Sequence, residues 1–315
     1  MSKLRQLLIV TLCLVLFSST SQAWFSFGHM AVAYVAYQKL TAAKKARVAV
    51  LLKKNPYYAT KWKKLIPAGT PADQQNLMIF MIAATWPDEI KSDKAYTNDG
   101  ADNGDEPPAG PTASQNKGYT DHLRHKYWHF VDSPFTQDGT ALPAVPKPNG
   151  ETEITVFRKA LASTKTDALK SYDLVWLMHL VGDVHQPLHS STRTGASDLK
   201  GDAGGNNVKL SSPNSELHAF WDGLPGDSSN PAEVIPYASA LAPADPALAN
   251  VKTVATWTSE SFEIAKADVY MDPISIGDGP FTITPGYKAK AQQIADQRVA
   301  LAGERLANII NNELK

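Results

Sequence analysis

Apolar residues recur at helical spacing along most of this chain. From Gly28 to about Asn55, Met30, Val32, Tyr34, Val35, Leu40, Val48, Leu51 and Leu52 form the apolar positions, and Lys44, Lys45 and Arg47 form a wet side. Thr70-Pro71-Ala72-Asp73 reads as a capping box with proline at the first helical position. It opens a helix through Leu77, Met78, Phe80, Met81 and Ile82 that runs to Trp86-Pro87-Asp88. Further helices are expected at about 152–164 and 168–185, and near 231–245, 250–267 and 286–312. The last has the clearest period, with Ile294, Val299, Leu301, Leu306, Ile309 and Ile310. Residues 92–120, rich in Gly, Asp, Asn, Pro and Ser, read as a long surface loop. Residues 133–150 read as another loop, and 190–214 as a glycine-rich connection. Tyr127 to Asp132 reads as a short extended apolar segment. Strand signals are sparse, so the fold class is mainly α.

The amino-terminal 23 residues change the picture of where the chain works. Lys3 and Arg5, the apolar run Leu7 to Phe17 and the small-residue site Ser21-Gln22-Ala23 have the layout of a cleaved secretory signal. The run is too short to span a bilayer. Export to a periplasm or the medium is therefore expected, with no membrane attachment after cleavage. The single cysteine, Cys13, leaves with that segment, so the mature chain has neither disulfides nor thiolate ligands. Removing 23 of 315 residues leaves 292, enough for one large core, and no linker or repeat divides it. Without Lys3 and Arg5, 29 basic side chains face 31 acidic ones, which argues against a generally basic surface for gripping duplex nucleic acid. Bound cations can still supply local positive charge.

The chemistry sits in HLVGDVHQPLH, residues 179–189. His179 and Asp183 are four apart and share a helix face. Gln186-Pro187 ends the helix, so His189 is free to address a second ion. In LHAFWD, His218 and Asp222 repeat the four-residue spacing. Imidazole with carboxylate is the usual ligand set of a hydrolytic zinc site. A lone His-x-x-x-Asp pair is common by chance; two pairs with His189 point to a multi-zinc hydrolase.

On those residues the sequence resembles the zinc-dependent type I nucleases, the fungal, plant and bacterial family of single-strand nucleases and 3′-nucleotidases. It is more distantly similar to the bacterial zinc phospholipases C. Ala84-Thr85-Trp86-Pro87-Asp88 resembles the family's Ala-Ser-Trp-x-Asp, and Trp128-His129-Phe130-Val131-Asp132 its Trp-His-aromatic-x-Asp. Gly204-Gly205-Asn206 matches a Gly-Gly-Asn element, although Ala203 stands where the family usually has a basic residue and 194–201 is inserted. The resemblance implies a single compact helical domain over 24–315, acting as a monomer, that holds three Zn²⁺. Trp24, through its freed α-amino group and carbonyl, would hold one ion with His29 and Asp183. Asp88, His129, His179 and the bridging Asp183 would hold the second; His189, His218 and Asp222 would hold the third. It further implies Asp88, Lys91 and Asp183 as catalytic residues, Lys91 standing where the family has a phosphate-contacting cation. Phe130 and Asp132 would stack on a base and bind its edge, with Asn206 as a further substrate-binding residue. Zinc would generate hydroxide near neutral pH and stabilise the departing 3′-oxygen, leaving 5′-phosphorylated products of single-stranded DNA or RNA.

Two other functions are compatible with the metal residues. A zinc phospholipase C shares the His179/Asp183/His189 spacing, but His29 lies only five residues after Trp24 and the last carboxylate is Asp222, both as in the nucleases. An exported zinc-binding protein without catalysis is the duller reading. Elsewhere, plain roles are expected. His122 and His125 read as solvated, and His185 as a helix-end cap or a support for a ligand. Trp62, Trp176 and Trp257 read as core, and Lys44, Lys45, Arg47, Lys53 and Lys54 as a wet helix face.

Overall fold

The structure, a computed structural model, describes residues 24–211 and 216–315; the expected export signal over 1–23 lies outside them. The helical period yields α1 (Ser26–Lys39), α2 (Ala42–Leu52), α3 (Tyr57–Thr60), α4 (Ala72–Ala83), α5 (Trp86–Ser92) and α6 (Gly150–Ala162). It continues through α7 (Asp167–Asp183), α8 (Leu217–Asp222), α9 (Pro231–Ala240), α10 (Pro246–Ala249), α11 (Val254–Ile264) and α12 (Pro285–Glu313). The fold is mainly α, as expected. Helix α1 packs against α12, α9, α4 and α7, while α7 is also covered by α2, α5 and α6. That surround explains why α7 is apolar on every side: all its residues from Lys170 to Asp183 are buried.

Several boundaries differ from the sequence expectation, each for a local reason. The helical stretch from Gly28 breaks at Leu40, because Thr41 turns extended and its hydroxyl accepts from the Lys44 backbone N–H, capping α2. The capping box at Thr70 does not form. Pro71 occupies the cap position of α4 and has no side-chain acceptor, and the Thr70 hydroxyl turns back to the Pro67 carbonyl at 2.7 Å. The helix expected to run through to Asp88 splits at Ala84-Thr85. Thr85 Oγ1 donates to the Ile82 carbonyl at 2.8 Å, and Pro87 in the next turn has no N–H to offer. Residues 126–129 form a 3₁₀ turn rather than an extended segment; extended backbone begins at Phe130.

The two segments read as loops after it each contain a strand. β1 (Ser133–Thr136) pairs in parallel with β2 (Ser191–Thr194), with Ser133 opposite Ser191 and Thr136 opposite Thr194. This short ladder fixes the stretch carrying His129, Phe130 and Asp132 beside the exit from α7. The core behind it is aromatic. Trp86, Trp128 and Trp176 meet edge to face, at ring separations of 6.2 Å (Trp86–Trp176) and 4.9 Å (Trp128–Trp176). Trp62, Trp176 and Trp257 are buried core residues as expected. With no cysteine after Cys13, such packing carries the cohesion of the domain. No helix among the described residues is long and apolar enough to cross a membrane.

Candidate metal centre

Interruptions of helices position the polar residues. Where α4 ends, Asp88 N and Glu89 N both bond to the Thr85 carbonyl, which leaves the Ala84 carbonyl to accept from His179 Nδ1 at 2.7 Å. Where α7 ends, the Gly182 carbonyl accepts from Trp24 Nε1 at 3.0 Å. Gly182 is required by close approach: a Cβ there would stand 2.9 Å from His29 Nδ1. Gly204, at φ 59°, lets its carbonyl accept from His218 Nδ1 at 2.7 Å; a Cβ would fall 2.4 Å from the Leu188 carbonyl oxygen.

These contacts bring the sequence-selected residues into two adjoining nests. In the first, Asp183 faces two ways. Its Oδ1 is 3.3 Å from His29 Nε2, and its Oδ2 is 3.0 Å from His129 Nδ1 and 3.4 Å from His179 Nε2. Asp88 Oδ1 lies 3.6 Å from His179 Nε2 and 2.7 Å from Lys91 Nζ. In the second, His189 Nε2 and His218 Nε2 approach to 3.0 Å, with Asp222 Oδ2 3.3 Å from the latter. The nests are joined through backbone, since His189 Nδ1 donates to the His129 carbonyl at 2.8 Å and Val131 N to the His189 carbonyl. Trp24 is fully buried, and the N–H of its neighbour Phe25 bonds to the Asp222 carbonyl at 3.2 Å. A model of the family described as S1/P1 Nuclease matches residues 24–315. The chain belongs to the S1/P1 nuclease family. Its members are hydrolases acting on phosphodiester bonds. Among curated proteins, none matches the chain.

The donor set of this S1/P1 family member fits metal ions. His29/Asp88/His179, His129/His179/Asp183 and His189/His218/Asp222 each bring three possible ligand atoms within 4.8 Å of one another. The second nest gives the sharpest test. A carbonyl can only accept, so His189 and His218 each spend their ring N–H on one, and two Nε2 lone pairs face each other beside a carboxylate. A cation between them removes that repulsion. Asp88 Oδ2, Asp222 Oδ2 and His129 Nε2 are likewise buried without a hydrogen-bond partner. Burial, with the Lys91 charge added, holds His129 and His179 well below the usual imidazole range. Burial and His218 do the same for His189, and burial lowers His218 to about 4. Neutral imidazoles are the ligand form. Burial and the neighbouring Asp88 raise Asp183; burial raises Asp222 as well. A bound cation would offset that cost.

The expected substrate residues are partly buried. Phe130 is half-buried and stacks on His189 with ring centroids 4.7 Å apart. Asp132, at φ 51°, has its carboxyl pushed up to about 7 by burial, then by Asp202 and Asp105. Asn206 Nδ2 is turned onto its own loop, donating to the Ala203 carbonyl at 2.7 Å. Two contacts escaped sequence reasoning. Gln186 Nε2 donates to Asp222 Oδ1 at 2.7 Å, orienting that carboxylate from inside a motif in which it read only as a helix end. His125, expected to be solvated, is fully buried, whereas His122 is exposed. His125 stacks on Trp128 at 3.6 Å, with Nδ1 2.6 Å from Asp99 and Nε2 3.1 Å from Asp121. No local pattern pairs it with Asp99, 26 residues away. His185 does end α7, its Nδ1 donating to the Val181 carbonyl while Nε2 accepts from Arg305 at 2.9 Å.

Two outcomes follow. Gly182→Ala should displace His29 and lower zinc content, which metal analysis of purified protein would read; unchanged zinc would contradict the packing argument. Burial opposes charge on His125, yet Asp121 and Asp99 raise its pKa above 6.5. A raised folded pKa gives stability that is full below 6.5 and fades as pH rises through the folded value. His125→Gln should therefore cost about 3 kcal/mol at pH 5.5 and distinctly less at pH 9, measured by denaturant unfolding. A cost independent of pH would show that His125 is neutral in the fold.

Proposed function

We propose that this chain is an exported endonuclease and 3′-nucleotidase that hydrolyses single-stranded DNA and RNA to 5′-phosphorylated products with three zinc ions. The observation that carries the reading is the joining of the two donor nests, with Phe130 stacked on His189 where they meet. In this reading Asp183 would help hold two of the ions, its Oδ1 lying near His29 and its Oδ2 near His129 and His179. The α-amine and carbonyl of Trp24, once freed, would hold an ion together with His29. His189, His218 and Asp222 hold the third. Zinc held there would supply hydroxide near neutral pH and offset charge on phosphate oxygens.

The chain's own side chains bind and orient. Lys91 reaches a phosphate oxygen as a point charge, moving between Asp88 and substrate. Asp88, with Oδ2 unbonded, aligns the attacking water. Phe130 stacks on an unpaired base, which duplex cannot offer, and this favours single strands. Asp132, poised near pH 7, accepts from or donates to the base edge. With no ligand supplied by cysteine, the three ions carry six positive charges against three from Asp88, Asp183 and Asp222. The site is therefore attractive to phosphodiesters although the chain as a whole is near neutral.

Processed, zinc-loaded protein should cleave single-stranded DNA, RNA and 3′-nucleotides, leave 5′-phosphates, and contain three zinc ions per chain. Turnover of phosphatidylcholine with nucleic acid untouched would replace the reading with a phospholipase, and bound zinc without hydrolysis would replace it with a storage role. Protein carrying any extra residue ahead of Trp24 should lose one zinc and most activity, because a peptide nitrogen cannot replace an amine as ligand. Equal zinc and activity in the extended form would exclude the terminal ligand.

A further inference from the structure

The loop after α5 and the connection after β2 continue directly from segments that build the pocket. One leaves α5 just after Asp88 and Lys91 and runs over 93–106. The other runs over 195–205 and contains Gly204, whose carbonyl holds His218. They meet through Lys200, whose Nζ lies 3.1 Å from Asp102 Oδ2 and 3.7 Å from Glu106 Oε1. Both sides of this bridge are held by their own loops. Asp198 Oδ1 accepts from the backbone N–H groups of Lys200 and Gly201, each at 3.1 Å. Opposite, the Asn103 carbonyl accepts from Asn98 Nδ2 and Lys126 Nζ, and Glu106 N bonds to the Ala101 carbonyl. Asp105 in the same turn pairs with Lys126 at 3.8 Å and lies within electrostatic reach of Lys91 and Asp132. Lys126, three residues before His129, and Asp105 therefore tie this turn to the neighbourhood of Lys91 and Asp132.

We infer that Lys200 with Asp102 and Glu106 is a latch across the pocket mouth that makes the enzyme discriminate by substrate topology: 3′-nucleotides and strand ends enter beneath it, whereas the interior of a long strand must part the loops. This rests on the nuclease reading. All three side chains are more than half exposed, so the pair is screened by solvent and salt and opens readily. It slows long substrates without excluding them.

The mature chain has no cysteine, so Lys200→Cys with Asp102→Cys can be joined by a short bismaleimide without side reactions. Circular single-stranded DNA, which has no ends, is compared with a 3′-nucleotide on the zinc-loaded enzyme. Linking should lower kcat/KM for the circle by about tenfold or more and leave the 3′-nucleotide within about twofold. The unlatched Asp102→Asn, Glu106→Gln form, which adds no negative charge, should raise turnover of the circle by about two- to fivefold, the range open to an exposed pair. Undiminished cleavage of the circle by the linked form, or equal loss on both substrates, overturns the latch. An unlinked enzyme that hydrolyses neither substrate overturns the nuclease reading itself, and the latch with it.

Discussion

Two imidazole nitrogens face each other at 3.0 Å beside a carboxylate, all buried, and each ring has already given its N–H to a backbone carbonyl. That arrangement is repulsive alone and favourable around a cation, and the rest of the pocket is built to impose it. The first nest obeys the same logic with a carboxylate at its centre. Asp183 is fully buried yet has imidazoles on both oxygens, so its charge needs a positive partner on each side. Lys91, paired with Asp88 at 2.7 Å, contributes one positive charge nearby but cannot reach between the rings as an ion can. Binding energy in such a centre is therefore also folding energy.

The orienting groups are mostly backbone carbonyls released by helix breaks. In an unbroken helix the Ala84 carbonyl would bond to the N–H four residues on; the turn at Thr85-Trp86-Pro87 diverts that donor and gives the carbonyl to His179. The end of α7 yields Gly182 to the Trp24 ring and Val181 to His185 in the same way. The helix breaks thus act on the site by freeing backbone carbonyls, and Gly204 adds one more from a loop. His179, His189 and His218 are each fixed in orientation and tautomer by a carbonyl before any ion arrives, which favours binding by removing that ordering cost from it.

The residue types with helical spacing were readable without the fold. His179 and Asp183, then His218 and Asp222, are local pairs, and a period of 3.6 places them on one face whatever the tertiary structure. The long helices were legible for the same reason, α12 most of all. Their ends were less so, because a boundary depends on which of two competing acceptors wins. Thr41 took the cap position and Thr70 did not, although both precede helical sequence. The strands escaped notice because each is four residues long and stabilised by its partner, a pairing between positions 58 apart. His125 shows the limit most clearly. Polar neighbours in the chain suggested solvent, but Asp99 and Asp121 fold over it and Trp128 covers its face. Burial is a property of the assembled fold, and paired charges let a hydrophilic segment pass through the core.

This clamp has a consequence for the division of labour around the pocket. His125 ties the long loop, through Asp99, to Trp128, the residue before His129. The base of the loop is thereby anchored by a buried clamp, while its tip at Asp102 to Glu106 meets the facing loop through exposed ion pairs. Rigidity therefore falls from the ligand nests outward. Chemistry at phosphorus needs donor atoms held to a fraction of an ångström, and a polymeric substrate needs a mouth that yields. Burying one set of carboxylate–cation pairs and exposing the other meets both requirements with the same side-chain chemistry, since the low dielectric of the interior strengthens what solvent screens at the rim.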